Sequence, residues 1–223
     1  MQKKPVPRRK KRFSFGRLAV SALVMLVLMA ASFGFGWRCG VESTRFYGDV
    51  LLVNSANRLP ADYVPEGLVN LYQQRHSFRL AGSDIYLTYE TYEAMERMFA
   101  AAEAADVNGF IITSGYRDYQ RQAEVFAETE AGKAQEPGAS EHQTGMAFDV
   151  TAENTSGFEN TKQYAWLCAN AHKYGFIQRY PANKSHITGI AYEPWHYRYV
   201  GVDVAERIHK TGMTLEEFVQ SVS

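Results

Sequence analysis

Tyr92, Met95, Met98, Phe99 and Ala102 fall at three- and four-residue steps and predict an amphipathic helix over Tyr89–Ala105. The apolar run from Gly109 to Ser114 reads as a buried strand. Asp118 is placed to cap a second helix that runs to about Ala131, and Gly132 to Ala139 reads as a loop. The run His142–Asp149 becomes aromatic and β-branched toward its end and reads as a strand. A third helix follows from Asn160 to Lys173, ended by Gly175. Phe176–Tyr180 is a strand closed by Pro181, and Tyr192–Val200 is another. Thr214-Leu215-Glu216-Glu217 is a capping-box pattern that opens a terminal helix. Between 41 and 82 the pattern is irregular, with Val50–Val53 a candidate strand and Pro60 and Pro65 as punctuation. Helices and short strands mix without regular βαβ alternation, so the fold class is α+β.

One stretch has no amphipathic pattern at all. Leu18 to Trp37 is uncharged over 20 residues. As a helix it would span ~30 Å, about the thickness of the bilayer core. Residues 1–40 carry nine Lys and Arg and no acid, and that cluster predicts an N-terminus held in the cytoplasm with the bulk of the chain exported. Cleavage near Met29-Ala30-Ala31-Ser32 is the rival reading. Cleaved signals have apolar cores of ~7–15 residues, so the longer run favours a retained anchor. The organisation expected is a basic tail (1–17), a transmembrane signal-anchor (18–37), a linker and approach segment (38–82) and a catalytic domain (83–223). A lipid attached at Cys39 is not expected, because the small residues such a site needs do not precede it. Cys168, in an apolar helical run, reads as core, and neither cysteine is a ligand candidate.

The chain is neutral as a whole, but the basic tail leaves 15 basic against 24 acidic residues beyond it, a net charge of −9. A surface of that sign excludes a nucleic-acid partner, whose phosphates call for basic residues.

The chemistry concentrates in two short runs, Ser140-Glu141-His142-Gln143-Thr144-Gly145-Met146-Ala147-Phe148-Asp149 and Glu193-Pro194-Trp195-His196. His142, His196 and Asp149 make a three-ligand set for a catalytic zinc, whose fourth position stays open for water. Glu193 is then free to act as the base. The composition leaves a second arrangement open, with Glu193 as third ligand and Asp149 behind it. His142 and Asp149 are seven apart and would face opposite ways on a straight strand, so both reach one metal only if the chain bends, and Gly145 is where it can. Pro194 cannot donate to a ladder, so its strand begins there or lies at an edge. Ser114-Gly115-Tyr116-Arg117 joins a strand to a helix, where Arg117 either enters a cleft to bind a carboxylate or pairs on the surface with Asp118 or a helix glutamate. Trp195 and Tyr197 read as packing residues. His76, His172, His186 and His209 have no carboxylate arrangement beside them. Lys210-Thr211-Gly212 matches one motif of serine D,D-peptidases, but no Ser-x-x-Lys accompanies it.

Ser140-x-His142-x-x-Gly145-x-Ala147-x-Asp149, Glu193-x-x-His196 and the upstream Ser-Gly-Tyr-Arg resemble the VanY-type D-alanyl-D-alanine carboxypeptidases. Their wider group includes VanX-type dipeptidases and L,D-carboxypeptidases. The resemblance runs from about Val50 to Gly201 and takes in Leu59-Pro60-Ala61-Asp62-Tyr63 and Arg179-Tyr180-Pro181. It implies a small antiparallel sheet flanked by helices, with Zn2+ held by His142, Asp149 and His196 and Glu193 as general base. It also implies that Arg117 grips the substrate's C-terminal carboxylate, with Ser140 and Gln122 near the substrate. The activity implied is removal of the terminal D-Ala from peptidoglycan stem peptides or the lipid-linked precursor, outside the cell membrane. L,D-carboxypeptidase action on tetrapeptides, D,D-dipeptidase action and a non-catalytic wall-binding module are the alternatives. Asp118 stands where many relatives carry Ser, and its charge beside Arg117 is expected to weaken carboxylate capture.

Overall fold

A computed structural model describes residues 46–47, 50–129, 134–153 and 157–223. The basic tail, the transmembrane helix expected over 18–37 and Cys39 lie outside the described residues. Among the described residues no helix is long and apolar enough to cross a membrane.

Two small ladders open the chain. Strands β1 (Phe46–Tyr47) and β2 (Val50–Leu51) pair antiparallel. Strands β3 (Leu68–Asn70), β4 (Arg79–Leu80) and β5 (Tyr86–Thr88) follow, and β3 pairs antiparallel with β5. The main sheet takes β4 and adds β6 (Phe110–Ser114), β7 (Ala147–Ala152), β8 (Phe176–Tyr180) and β9 (Glu193–Tyr199), in the order β4-β6-β7-β9-β8. From β6 to β8 every neighbouring pair is antiparallel, as the resemblance implies. The edge strand β4 departs from this and runs parallel to β6. Parallel neighbours need a crossover connection, and the helix α1 (Tyr89–Ala104) lies in the chain between them.

The other helices are α2 (Tyr119–Glu128), α3 (Lys162–Asn170), α4 (Ser185–Thr188), α5 (Val202–Thr211) and α6 (Leu215–Val222). The starts of α2 and α6 follow the capping chemistry read from sequence. Asp118 Oδ1 accepts from the Arg121 amide at 2.7 Å, and Thr214 and Glu217 close a reciprocal capping box on α6. α3 passes into a 3-10 turn over Ala171–Tyr174 that ends at Gly175 in the left-handed region.

The core lies between α1 and one face of the sheet. Tyr92, Met95, Met98, Phe99 and Ala102 pack against Phe110, Ile112, Phe148, Val150, Phe176 and Tyr197. Phe99 meets Phe110 with ring centroids 4.6 Å apart, and Phe148 meets Phe176 at 5.4 Å. Burying each such side chain contributes about 1.5–3 kcal/mol, which makes this face the rigid support of the opposite one. A second cluster joins Val50, Leu52 and Ile177 to Ala205 and Ile208 of α5 and to Leu215, Phe218 and Val219 of α6. Cys168 is not core as expected: it is exposed, because α3 buries Leu167 and turns the next residue outward.

Candidate metal centre

Strand alternation sorts the side chains of β7. Phe148 and Val150 belong to the α1 core, so Asp149 stands on the other face. His196 on β9 is its direct cross-strand partner, and the two meet with Nδ1 3.0 Å from Oδ1.

His142 does not sit on a strand, contrary to expectation. Glu141–Thr144 form a 3-10 turn, and strand begins only at Ala147. The turn ends at Gly145, whose φ of 67° favours glycine. A Cβ there would lie 3.0 Å from Leu68 and 3.1 Å from Thr88, while the Gly145 carbonyl accepts from the Thr88 amide at 2.9 Å. The bend expected at Gly145 thus exists, and it brings His142 Nε2 to 3.4 Å from Asp149 Oδ2. His142 Nδ1 donates to the Gly115 carbonyl at 2.7 Å. A carbonyl only accepts, so Nε2 carries the lone pair that faces the site. Gly115 must be glycine, since a Cβ would come within 2.4 Å of the Tyr86 carbonyl.

Glu193 opens β9, as Pro194 foretold, though β9 is an inner strand. Between the pairs Gln178–Tyr197 and Tyr180–Glu193 the register slips: β9 advances four residues while β8 advances two. Irregularities of this kind re-aim side chains beside functional sites. Here Glu193 Oε2 comes to 3.8 Å from His196 Nδ1 despite the odd spacing.

Arg117 enters the cleft. Its Nε donates to Gln122 Oε1 at 2.9 Å, its Nη1 to Ser114 Oγ at 2.6 Å, and Nη1 lies 3.9 Å from Asp149 Oδ2. Gln122 is braced in turn through Nε2 to the Gln135 carbonyl at 2.7 Å. Asp118 does not pair with Arg117. Its Oδ1 caps α2 instead. Arg117, Gln122, Ser140, His142, Asp149, Glu193 and His196 all line one cavity of about 190 Å3, together with Tyr180, Ile190 and Trp195. Trp195, expected to pack, is 42% exposed at this cavity, whereas Tyr197 is buried in the core as expected.

Burial governs the protonation of these groups. It pulls His142 down to about 4, aided by Arg117, and pushes Glu193 up to about 7. Burial would lower His196 too, but the Asp149 and Glu141 carboxylates outweigh it and raise it to about 9. Asp149 is driven upward by burial and held well below the usual carboxylate range by the two histidines.

Sequence reasoning did not single out a charged cluster behind His196. Glu141, inside the same motif, accepts from Arg179 Nε at 2.8 Å and lies 3.0 Å from Arg198 Nη1. Arg179 also donates to both oxygens of Glu216 on α6. All four are buried. The available signal was Arg179 and Arg198 standing inside otherwise apolar and aromatic strands.

The donor set fits zinc. Ligand atoms of His142, Asp149 and His196 lie within 4.8 Å of one another. One carboxylate with two imidazoles leaves a bound dication with net positive charge and an open position.

Comparison with known proteins finds a family and several relatives. The family profile described as VanY, D-alanyl-D-alanine carboxypeptidase, matches residues 84–202. A D-alanyl-D-alanine carboxypeptidase of Enterococcus faecium is 36% identical over 181 residues, covering 80% of this chain. The chain spans 59% of that relative's length. Among solved structures, the LdcB LD-carboxypeptidase aligns with a TM-score of 0.69 at 36% identity, over 77% of this chain and 86% of that one. A mutant of the vancomycin-resistance D,D-pentapeptidase VanY, in complex with Zn(II), aligns with a TM-score of 0.63 at 35% identity, over 75% and 97%.

Proposed function

The chain belongs to the VanY family, and on that premise we propose that it is a zinc-dependent carboxypeptidase that removes the C-terminal D-Ala from peptidoglycan stem peptides. The observation that carries this reading is the convergence of three metal donors, a carboxylate with a raised pKa and a braced arginine on one cavity.

His142, Asp149 and His196 hold the metal. Bound there, zinc would supply Lewis acidity toward a carbonyl and would lower the pKa of a water toward neutrality. Glu193, facing the same cavity 3.8 Å from His196 Nδ1, takes the proton of the attacking water and passes it to the leaving amine. Arg117 binds the terminal carboxylate of the peptide. Its hydrogen bonds to Gln122 and Ser114 fix the guanidinium plane before substrate arrives, which lowers the ordering cost of binding. Ser140, buried at the cavity wall, offers a hydroxyl to the substrate backbone.

The uncharged run 18–37 and the basic tail before it support placement in the cell membrane with the catalytic domain outside, where stem peptides and the lipid-linked precursor are met. A second reading has its own support. The LD-carboxypeptidase aligns at the higher TM-score of the two structures, so L,D-cleavage of tetrapeptides is the alternative.

The test is incubation of the purified chain with pentapeptide and tetrapeptide muropeptides, with and without chelator, read by mass spectrometry. The expected result is loss of one alanine from pentapeptide only, abolished by chelator and restored by zinc. Cleavage of tetrapeptide alone moves the enzyme to the L,D class. Zinc binding without cleavage of either peptide overturns the enzyme reading in favour of a wall-binding module.

A further inference from the structure

We propose that Glu141 is a positioning residue for the metal: its carboxylate fixes the proton of His196 on Nε2 and so turns the Nδ1 lone pair toward Asp149 and Glu193. The proposal rests on the reading that His142, Asp149 and His196 hold the metal.

The two nitrogens of His196 face two different carboxylates. Nδ1 lies 3.0 Å from Asp149 Oδ1 and 3.8 Å from Glu193 Oε2, on the cavity side. Nε2 lies 3.6 Å from Glu141 Oε2. That separation is longer than a hydrogen bond, yet Nε2 and Oε2 are both buried and neither has another partner. Leaving two buried polar atoms unpaired is costly, and they are each other's available remedy. Asp149 and Glu141 both only accept, so without a metal His196 carries a proton on each nitrogen. A metal held between Nδ1 and Asp149 would take the place of the Nδ1 proton and leave the one on Nε2 facing Glu141. A ligating histidine held through its other nitrogen by a carboxylate is a general device for orienting metal sites.

Glu141 is itself prevented from turning. Its Oε1 is taken by Arg179 Nε at 2.8 Å and faces Arg198 Nη1 at 3.0 Å. Arg179 is locked on the far side by Glu216, and Arg198 by the Tyr199 and Leu51 carbonyls at 2.9 and 2.8 Å. With one oxygen held by two cations, only Oε2 is left for His196.

That asymmetry makes Glu141→Gln a directed test. The amide oxygen must stay on the arginines, which only donate, so the amide nitrogen is forced to the Oε2 position. A donor facing Nε2 demands the opposite tautomer, with the proton on Nδ1 where the metal should bind. Zinc affinity, measured by chelator competition on the full chain, is expected to fall about 10–100-fold, and the visible spectrum of the Co(II)-loaded chain is expected to change. Glu216→Gln removes a charge from the same cluster without touching His196. It is the control for general loosening, with zinc affinity expected within about threefold of wild type. Equal weakening in both variants, or an unchanged dissociation constant and Co(II) spectrum in Glu141→Gln, overturns the proposal.

If Glu141→Gln fails to fold, nitrogen NMR of the zinc-loaded wild-type chain decides. A slowly exchanging proton on His196 Nε2 supports the proposal, and a proton on Nδ1 with zinc at Nε2 overturns it. A wild-type chain that binds no zinc sinks the metal reading and this proposal together. Tight wild-type binding matched by Glu141→Gln sinks this proposal alone.

Discussion

Two buried charged clusters stand back to back across His196, and they are built on opposite principles. Behind it, Glu141 and Glu216 meet Arg179 and Arg198, two anions against two cations at contact distances. In front of it, Asp149 and Glu193 face two imidazoles, and Arg117 is 3.9 Å from Asp149. The protonation behaviour follows. Burial alone would push Glu141 up, yet Arg179 and Arg198 hold it far below the usual range. Glu193, with no such partner, drifts up to about 7. The rear cluster balances its own charges and can remain ionised in the interior. The front cluster has no arginine–carboxylate pair at contact distance and opens into a cavity. Buried donors that converge on one point without such a pair are where a metal ion fits.

The largest expected effects would break the front cluster. His142→Ala removes one of three donors, and zinc content measured by elemental analysis is expected to fall from one per chain to near zero, with turnover lost alongside it. Glu193→Ala separates binding from chemistry. Zinc content is expected to stay at one while kcat falls about 10²–10⁴-fold, the range that acid–base catalysis supplies. A Glu193→Ala chain with unchanged kcat would show that the base lies elsewhere.

Arg117→Ala sharpens the comparison, because Arg117 lines the front cavity with no carboxylate at contact distance and is offered here to the substrate. A hydrogen bond to a charged group contributes about 1.5–3 kcal/mol, so KM for the peptide is expected to rise about 10–100-fold. A kcat that falls as well would mean that Arg117 also orients the scissile bond. Unchanged KM would return Arg117 to a structural role.

The front cluster was legible in the sequence and the rear one was not. Histidine and acid within short runs are rare enough that His142, Asp149, Glu193 and His196 stand out by type alone. Arg179 and Arg198 sit at strand positions, where an arginine ordinarily marks a solvent face, and only tertiary packing reveals that both are buried. The long amphipathic α1, the capped starts of α2 and α6, and the strands β6, β8 and β9 follow from periodicity and capping. The β7 pattern extends the expected strand back to His142, because the 3-10 turn over Glu141–Thr144 carries no period of its own to contradict it. Strand β4, two residues long, is too short for any pattern to announce its parallel pairing.

The smallest effects compare two neighbours on α6, one in each kind of environment. Glu216 is buried against Arg179, whereas Glu217 lies at the surface, 3.0 Å from Lys184. Glu216→Gln leaves a buried guanidinium facing an amide that has only one acceptor. The loss of unfolding free energy is expected to be about 3 kcal/mol, as for a buried pair deprived of one charge. Glu217→Gln loses the Lys184 pair but keeps an acceptor for the Thr214 amide, which Glu217 holds at 2.8 Å, and glutamine serves a capping box as glutamate does. The expected loss is therefore below about 1 kcal/mol. The Thr214 amide and Lys184 hold the Glu217 carboxyl below its ordinary value. A depressed folded pKa gives stability that is present above the unfolded-state value and is lost as pH falls through the folded one. The gap between wild type and Glu217→Gln, measured by chemical denaturation, is thus expected at neutral pH and should close below the ordinary carboxylate range. A gap that widens in acid would mean that the ion pair and cap contribute nothing to the anchoring of α6.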